Sequence, residues 1–115
     1  MSGYVTIATR RGAFEPLRSL AYGSVLDAYS AIGAGLDYRT RVFVINNFTD
    51  IDIKISFDSI VDHLAIPAGG NIIIDSATNG LSLPKGTVFY VKRYTAGGAA
   101  SSGHVDVSIG YTLSF

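Results

Sequence analysis

Residues 41–67 read RVFVINNFTDIDIKISFDSIVDHLAIP, and the alternation of apolar and polar side chains within them decides the fold class. Ile51, Ile53, Ile55 and Phe57 alternate with Asp52, Lys54, Ser56 and Asp58, a period of two that sets one face of a strand against a core and the other in water. The preceding run, residues 42–45, is apolar on both faces, as suits a central strand between layers. Asn46, Asn47, Thr49 and Asp50 are turn residues that tolerate left-handed backbone. The expectation is two neighbouring antiparallel strands joined by that turn, with a third beginning at His63.

Outward from this stretch the same signals recur. Residues 71–75 centre on three β-branched isoleucines, residues 87–94 are rich in aromatic and β-branched side chains, and Pro84, Lys85 and Gly86 between them read as a tight turn. In residues 105–115 the alternation is strongest: Val105, Val107, Ile109, Tyr111, Leu113 and Phe115 share one face, and burial of Phe115 is expected to tie down that end of the strand. Residues 96–103, AGGAASSG, are all small and read as a mobile loop or hairpin tip. About seven or eight short strands separated by turn signals point to an all-β chain, an antiparallel β-sandwich of jelly-roll or immunoglobulin-like type.

The amino-terminal part is less regular. Residues 4–8 fit a short strand, which Arg10, Arg11, Gly12, Glu15 and Pro16 interrupt, so residues 1–18 read as an extended arm and residues 19–115 as a single sandwich domain. In residues 17–32 Leu17, Leu20, Ala21, Val25, Ala28 and Ile32 fall at helical spacing, while Gly23, the serines and the tyrosines favour extended structure. Extended structure is the preferred reading, and one amphipathic helix ended by Gly33 and Gly35 is the other.

Composition narrows the function classes. A chain of 115 residues suits one domain with one core. Nine basic and nine acidic side chains cancel, leaving no long-range field to draw in nucleic acid or an anionic membrane. No run approaches the ~20 apolar residues of a spanning helix, and the first residues lack the pattern of a secretory signal. Cysteine is absent, which removes disulfides, thiolate nucleophiles and sulfur-based zinc sites. With 48% hydrophobic but only 16% charged residues, against about 25% charged in typical soluble domains, part of the apolar surface is expected to meet another copy of the chain.

Residues with chemical potential are few. His63 and His104 are far apart in sequence, and no nucleophile elbow, phosphate loop or zinc-protease motif occurs, so no catalytic residue, cofactor or metal site is assigned. Asp50, Asp52, Asp58 and Asp62 cluster near turns without calcium-loop spacing and are read as turn residues that bond backbone amides. Arg10, Arg11, Arg18, Arg39 and Arg41 make the first third basic, and ion pairs between subunits are preferred over a phosphate-tracking surface. Tyr4, Tyr22, Tyr29, Tyr38 and Tyr94 serve packing or an interface, or else a carbohydrate platform.

The segments SLAYGSVLDAYSAIGAGL, VFVINNFTD, IKISFD, DHLAIPAGGNIIID and LPKGTVFYVK resemble a widespread group of small virion proteins of tailed bacteriophages. The matching positions are Asn47, Thr49 and Asp50; Ser56, Phe57 and Asp58; Asp62 and His63; Pro67 and Ala68; and residues 84–87. The chain departs from the group at Ser59, where glycine is common. The resemblance implies a non-enzymatic structural subunit, present in many copies on the capsid or at the head-tail neck and contacting itself and capsid, portal or tail proteins. The particle assembled in the host cytoplasm is then its location. The alternative is a carbohydrate- or receptor-binding module of a fibre.

Overall fold

Ile53 and Ile55 are fully buried in a strand, as their spacing requires. It is one of ten in the computed structural model, which describes residues 5–7, 10–76 and 80–114. In chain order they are β1 (Val5–Ile7), β2 (Arg10–Phe14), β3 (Arg18–Ala21), β4 (Ser30–Ala31), β5 (Val42–Asn47), β6 (Ile53–Ser56), β7 (Leu64–Ile66), β8 (Asn71–Asp75), β9 (Tyr90–Arg93) and β10 (His104–Ser114). The count exceeds the expected seven or eight because β2 and the two-residue β4 also pair. Helical structure among the described residues amounts to one 3-10 turn, Tyr22–Ser24, and a single residue at Ser76. Residues 17–32 thus hold the short strands β3 and β4 about that 3-10 turn, and the alternative amphipathic helix is not formed. Among the described residues no helix is long and apolar enough to cross a membrane.

Two antiparallel sheets enclose the core. Sheet A has the order β1-β2-β10-β5-β8, with β3 also on β10, and sheet B has the order β4-β9-β6-β7. Ile45, Val105 and Val107 from the first meet Ile53, Ile55, Ile66 and Val91 from the second, all with 1% exposure or less. Phe43, Phe57 and Phe89 meet edge to face, with centroids 5.2–5.9 Å apart, the arrangement their quadrupoles favour. Val105, Val107 and Ile109 point inward as their alternation requires. Phe115 and Tyr4 lie outside the described residues.

One expectation fails. β5 and β6 are not neighbours: β5 pairs with β10 and β8, and β6 with β7 and β9. The cause is Asn47, which extends β5 past the expected turn and is fully buried. Its amide donates to the carbonyls of Ile51 (2.8 Å), Ile66 (3.2 Å) and Pro67 (3.0 Å), and its Oδ1 accepts from the Thr49 amide (3.1 Å) and hydroxyl (2.6 Å). These bonds carry the chain around a corner into the other sheet, where a hairpin would have folded back. Residues 67–70 and 94–103 cross between the sheets at the same end. Gly103 is required there, with φ at 93° and the Phe48 carbonyl only 2.0 Å from where a Cβ would sit.

Smaller corrections follow. Ser56 is buried where an exposed residue was expected, and its hydroxyl donates to Asp58. The strand expected over 87–94 spans only β9, since the carbonyls of Thr87 and Phe89 bond the isolated amides of Leu36 and Ile32. Arg10, Arg11 and Gly12 lie within β2, paired to β10, and the interruption falls at Glu15 and Pro16, between β2 and β3. There the buried Glu15 carboxylate receives Arg18 (2.9 Å) and the Asp37 amide (3.2 Å). Arg18 also donates to the carbonyls of Ala34 and Gly35, so this arginine is consumed within the chain. Ser59, where the resemblance called for glycine, is the one non-glycine residue of positive φ (65°) among those described.

Candidate functional site on the four-stranded sheet

Because Ile53, Ile55 and Val91 point inward, their neighbours Asp52, Lys54 and Lys92 form the outer face of sheet B. Lys54 stands directly opposite Lys92 on one side and Ala65 on the other. Two like charges in that position repel. Asp62, from the β6–β7 loop, offsets the repulsion by meeting Lys54 at 3.1 Å and Lys92 at 3.4 Å. Lys54 Nζ also lies 4.7 Å from the centre of the Tyr94 ring and Lys92 Nζ 4.6 Å from that of Tyr29, at cation–π range. The Tyr29 hydroxyl donates to Asp62 at 2.6 Å. That bond, followed by Lys54, holds the Asp62 carboxyl down to about 2. Partial burial, with the Asp62 charge behind it, raises the Tyr29 phenol above its ordinary value.

One row further along, Tyr94 bonds across to Asp52, its amide 3.0 Å from the Asp52 carbonyl. Pro67 follows Ile66, the partner of Ile53, and so flanks Asp52 on the other side. Small Ala65 leaves a depression of about 200 Å³ between the Tyr94 ring and Pro67, with Asp52 in its wall. A second depression, about 270 Å³, lies on the other side of Asp52 against Asp50, Ile51, Thr95 and Gly98. Asp52 is common to both. Its Oδ1 accepts the Ala68 amide at 2.9 Å.

The small-residue loop beside this groove is held at two points. The Gly97 amide donates to Asp27 Oδ1 (2.9 Å), which also meets Arg93 (3.0 Å). Ser101 gives Asp50 both its amide and its hydroxyl. The Gly97 amide, opposed by desolvation and aided by Arg93, keeps the Asp27 carboxyl below its ordinary 3.8. The Ser101 hydroxyl, then its amide, does the same for Asp50. A carboxyl depressed by folding stabilises fully above its unfolded value and loses that effect as pH falls through its folded value. In a pH titration followed by NMR, the Gly97 and Ser101 amide resonances are expected to stay constant above the ordinary 3.8 and to move below it. Asp27→Asn should abolish the Gly97 step and leave that of Ser101. A Gly97 step unchanged in Asp27→Asn would mean that this carboxylate does not hold the loop.

The other sequence candidates do not converge. His63 accepts the Phe57 amide through Nδ1 (3.1 Å), and His104, on sheet A, meets Asp106 (3.3 Å). Asp58 takes the amides of Ile60 and Val61, which lower its carboxyl. Among the described residues no three of His, Asp and Glu gather as a metal-holding group. Arg41 pairs with Asp75 within the chain. Tyr38 stacks on Tyr111, with centroids 4.1 Å apart. Of the tyrosines, Tyr29 and Tyr94 are thus brought to the sheet B face. Sequence reasoning missed Lys54 and Ala65 as parts of the site, although their place on the wet face of alternating strands was legible.

Sheet A presents a different outer face. Phe14 (70% exposed), Val42, Val44 and Ile73 (60%) share it across β2, β5 and β8. Gly110 lets Phe14 and Val42 close over β10, since a Cβ there would lie 2.8 Å from Val42 Cγ1 and 3.3 Å from Phe14 Cε1.

No protein-family model matches the chain, and no curated protein matches it.

Proposed function

We propose that this chain is a non-enzymatic structural subunit of a bacteriophage particle, assembled in many copies by contacts with itself and with other virion proteins. The observation that carries the reading is the exposed apolar outer face of sheet A, with Phe14 and Ile73 more than half exposed in a chain that has only 16% charged residues. Contiguous apolar area of this kind ordinarily marks a surface covered by another chain, and a symmetric assembly covers it with copies of itself. The resemblance of residues 17–113 to phage virion proteins supports the same class. Arg18, held against the buried Glu15 carboxylate, is engaged within the chain.

Light scattering on the purified chain is expected to give a homo-oligomer, and Phe14→Asp with Ile73→Asp to give a monomer of unchanged circular dichroism. Exposed substitutions of this kind alter stability by about 0.5 kcal/mol. Mass spectrometry of particles from the phage encoding the chain should find it at a fixed, high copy number. Absence from the particle would overturn the reading.

A further inference from the structure

We infer that the groove at the loop end of sheet B is a binding site for a neutral oligosaccharide. The inference does not depend on where the chain is assembled.

Four features specify the ligand. Tyr94 is 52% exposed and lines the first depression, where the ring offers an apolar surface to the C–H face of a pyranose. Lys54, itself fixed by Asp62, lies over the ring and holds it in place, which reduces the ordering cost of binding. Asp52 stands between the two depressions with Oδ1 engaged by the Ala68 amide. An ionised carboxylate accepts about four hydrogen bonds, so this side chain has acceptor capacity left for sugar hydroxyls on either side. Asp50 adds a second carboxylate to the other depression. Donor-rich, uncharged hydroxyls suit these groups, and a sugar acid or phosphate would meet two carboxylates.

The place in the fold favours the same conclusion. Residues 48–52, 67–70 and 94–103 cross between the sheets at this end and supply Asp50, Asp52, Pro67 and Thr95. Asn47 fixes two of these crossings through its bonds to Ile51, Ile66 and Pro67. A rigid sandwich with its connections gathered at one end is where binding groups are commonly carried. Two depressions of about 200 and 270 Å³ joined at Asp52 accommodate successive sugar units, one stacked on Tyr94 and the next over Ile51 and Thr95.

The test is an NMR titration of the labelled protein with methyl glycosides of glucose, galactose and N-acetylglucosamine and with their β-linked dimers. Saturable shifts are expected at the amides of Asp52, Ala65, Ala68, Tyr94 and Thr95, with dissociation constants on the order of millimolar for the monomers and tighter for at least one dimer. Tyr94→Ala should weaken binding about tenfold, the loss of one stacking contact, while Tyr94→Phe keeps it. Asp52→Asn should weaken it with circular dichroism unchanged. The inference is overturned by the absence of any saturable shift, by shifts centred elsewhere, or by a Tyr94→Ala variant that binds as well as wild type.

Discussion

Ile55→Asp is expected to abolish the cooperative unfolding transition and to leave the protein in the insoluble fraction. Ile55 has no exposed area and lies between Leu64 and Val91 on the neighbouring strands. Losing its burial costs about 1.5–3 kcal/mol, and an unpaired carboxylate in its place adds several more. Together these are comparable with the roughly 5–15 kcal/mol that holds such a domain folded. The control is Lys54→Asp, one residue away on the outer face. It loses the contacts to Asp62 and Tyr94 but should still melt cooperatively. An Ile55→Asp protein that is soluble and melts like wild type would show that β6 does not face the core in this register.

Asn47→Ala carries the second large effect. It removes three donated and two accepted bonds from a buried corner. Each partner left unsatisfied away from water costs about 1–3 kcal/mol, so a loss of roughly 3 kcal/mol or more is expected even where water reaches some of the carbonyls. Asn47→Asp separates geometry from chemistry. Its carboxylate still accepts from Thr49 but turns an acceptor toward the carbonyls of Ile51, Ile66 and Pro67, and it should destabilise at least as strongly. Chemical denaturation at neutral pH measures both variants. A midpoint within error of wild type in either would remove Asn47 as the post that fixes the corner.

Asn47 also shows where sequence reading ends. β6, β8 and the inward face of β10 were legible because alternation is a local property and the pleat reports it directly. Which sheet each strand joins was not legible. Asn47, Thr49 and Asp50 are turn residues equally suited to a hairpin and to a crossover, and the choice rests on carbonyls about twenty residues further on. Glu15 and Pro16 looked like the boundary of an arm, and Pro16 does break the edge. The pairing of β2 with β10 depends on residues near the other end of the sandwich. At the groove, the place of Tyr94 beside a small-residue loop was legible, while its side chain read equally as packing, interface or platform. Asp52 was read only as a turn former, because its position opposite Tyr94 exists only once β9 has paired with β6.

The central place of β10 bears on how the chain comes to fold. Its two edges are filled by β5 and by β2 with β3, and it pairs Gly110 with both Phe14 and Val42. Sheet B is complete with Arg93, and its β6–β7 hairpin closes over a short loop. Sheet A can close only after β10 has been synthesised, when residues 10–21 find partners some ninety positions away. Pairings of such high contact order form slowly, and until then β2, β3 and β5 present open edges of the kind that join to other chains. Until β10 has emerged, the growing chain thus carries its six-stranded layer as three separate pieces, and chaperone dependence should concentrate in that interval.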